Sequence, residues 1–238
     1  MSKDVVAVVG VGPGLGSAVA RRFAADDFAV ALMARNRVTT AELADELCDA
    51  GHAAAAFATD ATQPESIGQA FADAAERFGA PPCVLVYNAG VFATGNVADI
   101  SPDEFERCWH VNCMGGFLAA QAALKPMLKA GSGTIIFTGA TASLRGGKGF
   151  ANLAVGKFGL RALAQSLARE VGPQGVHVVH TIVDGQIDTP AIRKRQPERE
   201  THTMLAPDAI ADTYLMLRRQ DRTAWTLELD LRPAVEPF

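Results

Sequence analysis

Residues Val5–Val9 form an unbroken apolar run rich in β-branched side chains, and Gly10-Val11-Gly12-Pro13-Gly14-Leu15-Gly16 follows at once. Such a run suits a strand buried on both faces of a parallel sheet. A helical pattern with Ala20, Phe23 and Ala24 on one face comes next. Strand, glycine turn and helix in this order place unpaired helix N–H groups and a positive dipole end beside backbone that no side chain obstructs. That arrangement suits a pyrophosphate. The G-x-G-x-x-G fingerprint is not met, because its third glycine would fall on Leu15. The spacing present is G-x-x-x-G-x-G, through Gly10, Gly14 and Gly16.

The alternation continues along the chain. Phe28–Met33, Ala53–Ala58, Cys83–Tyr87, Thr134–Thr138, Val176–Val183 and Thr223–Leu231 read as further strands. Thr39–Ala50, Pro64–Phe78, Pro102–Leu128, Phe150–Val171 and Pro207–Arg219 read as helices, with Ser101 as an N-cap and Gly79 as a stop. Short connections between such elements predict an α/β fold: one doubly wound parallel sheet of the Rossmann type, about seven strands with helices on both faces, in a single domain over residues 1–238. The least regular stretch, Asp184–Ala206, contains the mixed-charge run Arg193–Glu200.

Charge and cysteines narrow the partners. The chain carries 26 acidic and 22 basic side chains, a net charge of −4, which argues against nucleic acid or an anionic membrane as the main partner. No apolar run reaches the roughly 18 residues of a membrane span. Val5–Val9 is too short for a signal-peptide core. The four cysteines, Cys48, Cys83, Cys108 and Cys113, have no CxxC pair and no framework spacing. They read as buried free thiols in a reducing, cytoplasmic compartment, and no metal site is expected.

At the end of the second strand stands Ala34-Arg35. An acidic residue there would accept the adenosine ribose hydroxyls and favour NAD. Alanine cannot, whereas the Arg35 guanidinium can meet a 2′-phosphate through paired, charge-assisted bonds. NADP(H) is therefore preferred over NAD(H); a solvated strand-end arginine is the bland alternative.

Together these features resemble the short-chain dehydrogenase/reductase family over essentially the whole chain. The glycine segment with Leu15 is similar to its first motif. Asp60, followed by Ala61, stands where the family has an adenine-contacting aspartate. Tyr87-Asn88-Ala89-Gly90 resembles its Asn-Asn-Ala-Gly motif, and Asn112 its active-site asparagine. Asp184-Gly185-Gln186-Ile187-Asp188-Thr189 resembles its Pro-Gly-x-x-x-Thr segment, which implies nicotinamide contacts from Ile187 and Thr189. The resemblance also implies subunit contacts through the two long helices, hence a homodimer or homotetramer. It further implies a small-molecule substrate and a substrate lid over 184–206.

The likeness breaks at the chemistry. The family's Tyr-x-x-x-Lys uses a nearby ammonium to bring a phenol toward neutrality, because residues four apart share a helix face. Here the lysine is Lys157, Leu153 stands four residues before it, and Ala140 stands thirteen before that, in the serine place. Asn112 and Lys157 remain of the catalytic set. Thr141 and Asp184 are weak substitutes. Burial could raise the Asp184 pKa, while a strand-end aspartate capping nearby N–H groups is the plainer expectation. Tyr87 and Tyr214 read as packing residues, and His180 as a satisfied core residue. Arg193, Lys194 and Arg195 would either receive an anionic substrate or form a solvated, mobile loop. The pattern resembles a bacterial subgroup that lacks the catalytic tyrosine. Two readings follow: an NADP(H)-dependent oxidoreductase acting on a small carbonyl or alcohol, or a non-catalytic NADP-binding protein serving as a redox sensor or partner subunit.

Overall fold

The strand segments are buried throughout at the centre of the sheet and partly exposed at its two edges. In the computed structural model, which describes residues 3–236, these are β1 (Val5–Val9), β2 (Ala29–Ala34), β3 (Ala54–Ala58), β4 (Val84–Tyr87), β5 (Gly133–Thr138), β6 (Val176–Val183) and β7 (Glu228–Leu231). Residues 1–2 and 237–238 of the expected domain lie outside the described residues. The helices are α1 (Leu15–Ala24), α2 (Arg37–Asp49), α3 (Pro64–Phe78), α4 (Pro102–Trp109), α5 (Gly115–Ala130), α6 (Ala151–Val171), α7 (Pro190–Arg195) and α8 (Pro207–Arg218). All seven strands are parallel, in the order β3-β2-β1-β4-β5-β6-β7. One apolar layer packs α1, α2 and α8 on one face through Phe23, Leu43 and Tyr214; the other packs α3, α5 and α6 through Phe71, Met127 and Leu160. No helix among the described residues is long and apolar enough to cross a membrane.

The strand order reverses between β1 and β4, so their C-terminal ends diverge and leave a crevice. Ser101 caps α4 as expected, its Oγ accepting from the Glu104 amide at 3.2 Å. The long helix runs past Leu128 to Ala130 but is interrupted by a π-helical turn, His110–Met114, which holds Asn112. Directly after it, Gly115 and Gly116 let the helix approach β4. A Cβ on Gly116 would lie 2.5 Å from Leu160 Cδ1, and one on Gly115 would collide with the Tyr87 hydroxyl.

Three expectations change. The last strand is Glu228–Leu231, not Thr223–Leu231, because Asp221 accepts from the amide and hydroxyl of Thr223 and winds Arg222–Ala224 into a 3-10 turn. The segment read as least regular, 184–206, carries a short helix, α7, and a local network of hydrogen bonds. Arg193 clasps Asp188 with two bonds of 2.6 Å and reaches the Arg199 carbonyl and Thr201, while Arg199 holds Gln186 and Thr203. The four thiols are free, but only Cys108 is buried; Cys83 and Cys113 are half-buried and Cys48 is exposed.

β7 is locked to α6 by Glu228, which accepts from Arg161 Nε and Nη2 at 2.6 and 2.8 Å and from Gln165 at 2.9 Å. The Arg161 guanidinium holds its carboxyl down, from 4.5 to about 2. The ion pair therefore stabilises the fold fully above the ordinary carboxyl value and is lost as pH falls toward 2. Between pH 5 and pH 3 the native protein should lose about 2 kcal/mol that Glu228→Gln does not lose, read by urea unfolding. Equal losses would contradict this.

Candidate active site

The crevice at the C-terminal ends of β1 to β4 has a volume of about 710 Å³. Its walls come from Val9–Val11, Ala34–Asn36, Thr59–Ala61 and Asn88–Val91. Gly10 turns the chain out of β1 with φ +94°, and its amide donates to the Met33 carbonyl at 2.8 Å. Asn88 Nδ2 donates to the Gly10 carbonyl at 2.9 Å, tying the end of β4 to the glycine turn. A Cβ on Gly16 would lie 2.7 Å from that same carbonyl, so only glycine lets α1 start so close to β1. A Cβ on Gly12 would meet nothing within 4 Å. Leu15 is the first residue of α1 and is buried beneath the turn. Ile187 and Thr189 arrive from the segment after β6: Thr189 caps α7 and brings its methyl within 2.8 Å of where a Gly14 Cβ would sit.

Charge in the crevice is arranged asymmetrically. Asp60 Oδ1 accepts from the amide and hydroxyl of Thr62 at 2.9 and 2.8 Å, and these bonds, with Arg35 nearby, hold its carboxyl below the ordinary range. Arg35 lines the same crevice, and its side chain has no hydrogen bond or ion pair with any described residue. The adjacent Asn36 instead caps α2, accepting from the Val38 amide at 3.0 Å.

At the inner end, Lys157 on α6 is buried, and its Nζ donates to the Thr138 carbonyl at 2.7 Å. Burial alone pulls its pKa from 10.5 to about 8. Asn112 accepts from the Val91 amide at 3.2 Å and donates to the Val91 carbonyl at 2.9 Å. A Cβ on Gly90 would lie 3.2 Å from Asn112 Oδ1 and 3.7 Å from Lys157 Nζ, so a glycine there keeps both groups at the crevice floor beside Ala89. Leu153 lies one helical turn before Lys157 and, with Ala140 and Thr141, lines a second cleft of about 390 Å³.

Asp184 is not positioned as expected. Among the described residues no backbone N–H donates to it. Its Oδ1 accepts from the Thr141 hydroxyl, and its Oδ2 pairs with Arg232 at 2.7 Å. The carboxylate is thus committed to a cation and a hydroxyl rather than facing the cleft as a free acid. Both tyrosines are packing residues: Tyr87 donates to the Val111 carbonyl at 2.6 Å, and Tyr214 bridges Thr138 and Thr181 at 2.9 and 2.8 Å. Burial raises both phenols, that of Tyr214 to about 12. His180 is buried but not satisfied, since neither ring nitrogen has a hydrogen-bond partner, and burial lowers it to about 4. Among the described residues no cluster of His, Cys, Asp and Glu forms a metal site. Sequence reasoning missed Arg232, Val91, Arg145 and the Phe92–Phe150 ring pair. Of these only Arg232 carried a signal, as the cation after the alternating Glu228–Leu231 strand.

The short chain dehydrogenase family model matches residues 4–200. Trans-4-hydroxycyclohexanecarboxylate dehydrogenase from Sinomonas cyclohexanicum is 38% identical over 131 residues, covering 55% of this chain; the chain spans about half of that relative, 49%. The crystal structure of a short-chain dehydrogenase from Rhodopseudomonas palustris is 36% identical, with a TM-score of 0.84 over 97% of this chain and 98% of that one. An alcohol dehydrogenase from the archaeon Thermococcus sibiricus, solved with 5-hydroxy-NADP, is 27% identical, with a TM-score of 0.88 over 98% of each chain. With the family model matching residues 4–200 and the fold shared over nearly the whole chain, the chain belongs to the short chain dehydrogenase family of oxidoreductases.

Proposed function

We propose that the protein is an NADP(H)-dependent oxidoreductase acting on a small carbonyl or alcohol, with Leu153 and Ala140 standing in the family's tyrosine and serine places. The observation that carries this reading is Arg35, a partnerless guanidinium in an open crevice at the sheet's switch point, with no acid at the end of β2. The glycine turn would take the pyrophosphate, Asp60 and Ala61 the adenine end, and Asn88, Ala89, Gly90, Lys157, Ile187 and Thr189 the nicotinamide half. The Thermococcus protein's own ligand supports the same class of cofactor. When bound, such a cofactor supplies or removes a hydride. In reduction the carbonyl carbon gains that hydride and the carbonyl oxygen gains a proton; oxidation reverses both. Leu153 and Ala140 have no proton to give, and Asp184 is engaged by Thr141 and Arg232, so water entering the cleft donates it. Asn112 and Lys157 hold the floor in place.

The absence of a free acid also favours a second reading, an NADP-binding protein that has lost its chemistry. In both readings one unit spans 1–238, with 184–206 as its lid, in the cytoplasm. Half-exposed Phe117, Val155 and Phe158 on α5 and α6 support a homodimer or homotetramer.

Fluorescence titration tests the cofactor. NADPH should bind about 10–100 times more tightly than NADH, the worth of a charge-assisted bond pair. Arg35→Ala should erase that preference while leaving NADH affinity unchanged. Binding of neither nucleotide would overturn both readings.

A further inference from the structure

We propose that the substrate is a carboxylate, an apolar hydroxy or oxo acid whose anionic group is held by Arg145 at the mouth of the cleft beside Leu153. The cleft wall is apolar: Phe92, Ala140, Ala142, Phe150, Leu153 and Val183 line it, and the Phe92 and Phe150 rings meet edge to face at 5.8 Å. Its polar lining is already engaged. Thr141 donates to Asp184, and the Ala140 amide donates to Ser143 Oγ at 3.1 Å. Arg145 is the sole charged residue lining the cleft, and its side chain has no hydrogen bond or ion pair with any described residue.

The surrounding charge reinforces this. The chain as a whole is acidic, yet between Glu106 and Glu170 it has no acidic residue and eight cationic ones. That stretch supplies most of the cleft lining. In 184–206, Arg193 is paired with Asp188 and Arg199 is bonded to Gln186 and Thr203, and neither they nor Lys194 and Arg195 line the cleft. An anion in the cleft therefore meets Arg145, the cation on its wall. A carboxylate gains two parallel charge-assisted bonds from a guanidinium, and an apolar body gains from the two rings. A neutral alcohol would leave the guanidinium unused.

This inference rests on the oxidoreductase reading, but its test is separable. The probes are 4-acetylbenzoate and 4-acetylbenzamide, which differ only in charge and carry the same ketone. Each is titrated by calorimetry into the full chain, with and without NADP⁺. The acid should bind about ten-fold more tightly than the amide, and the advantage should shrink as salt rises. Arg145→Gln should abolish the difference; Lys148→Gln, an exposed neighbour on the same loop, should keep it. Equal affinity for acid and amide, binding of neither, or an acid preference that survives Arg145→Gln would each overturn the proposal. Failure of NADP⁺ to bind, with the acid preference intact, would instead defeat the oxidoreductase reading and leave Arg145 as a carboxylate site. With NADPH present, the same pair should differ in kcat/KM for ketone reduction in the same sense.

Discussion

Leu153→Tyr combined with Ala140→Ser should raise the rate of ketone reduction by about 10²–10⁴, the usual worth of a positioned general acid. The geometry for such an acid is already present. Leu153 sits one turn before Lys157 on α6, so a phenol placed there shares its face with the ammonium. Leu153 lines the 390 Å³ cleft rather than the sheet core, so the larger ring has space to enter without repacking β5 or β6. Lys157, buried and without a carboxylate partner, would pull the new phenol's pKa downward by proximity. Its own pKa should rise or fall with the phenol as a coupled pair. The measurement is kcat at saturating NADPH across pH, for the native protein, both single variants and the pair. A gain confined to variants carrying Leu153→Tyr, with a new titration in the profile, identifies the missing phenol as the limit. An inert native protein beside an active double variant selects the second reading, a cofactor-binding protein without chemistry. No gain, with folding and NADPH affinity intact, would mean that proton donation does not limit the rate.

The parts of the fold legible in the sequence are those where a local pattern and the tertiary outcome coincide. Val5–Val9 is apolar at every position, and β1 is buried throughout. Gly10 and Gly16 are required by close approaches to the end of the neighbouring strand and within the turn itself, and their place after β1 betrays them, whereas the approach of Thr189 to Gly14 is long-range. The β7 boundary failed because Ala224–Leu227 is strand-like in composition. What decides it is an Asx turn at Asp221 and the stacking of Trp225 on His177, with centroids 4.7 Å apart. The setting of Asp184 is illegible in the sequence for a long-range reason. Its partner, Arg232, comes from the far end of the chain, and no spacing rule links the two. His180 shows the converse. A histidine within an apolar strand is ordinarily given a partner, but Gly139 brings its backbone against the ring and no donor or acceptor accompanies it. Burial then keeps the ring neutral, which is cheaper than an unpaired imidazolium. Arg145 was overlooked because a lone arginine in a glycine-rich loop looks like any solvated surface cation until the apolar cleft beside it is seen.

Lys157→Met should stabilise the unliganded protein while removing its affinity for NADPH. The lysine's pKa falls from 10.5 to about 8 on folding because burial strips water from the ammonium. Between those two values the unfolded chain holds the proton more strongly than the folded one, so native stability rises with pH across this window. Below about pH 8 both forms are protonated, and the penalty for burying the charge, on the order of 3 kcal/mol, is present in full. Methionine fills a similar volume without that penalty but leaves the Thr138 carbonyl without its 2.7 Å donor, a loss of about 1–2 kcal/mol. The balance at pH 7 is a gain of about 1–2 kcal/mol, or about 2–8 °C in Tm for a chain of this size. Two further signatures separate this from general stabilisation. The variant's stability should be flat from pH 8 to 10.5 where the native protein's climbs, and NADPH should raise the native Tm but not the variant's. A lower Tm in Lys157→Met at pH 7 would show that the buried ammonium is stabilised by the fold itself. A higher one would show that a strained charge is kept beneath Gly90 for a ligand's benefit, with the ribose end of the crevice as the place where its remaining N–H groups find acceptors.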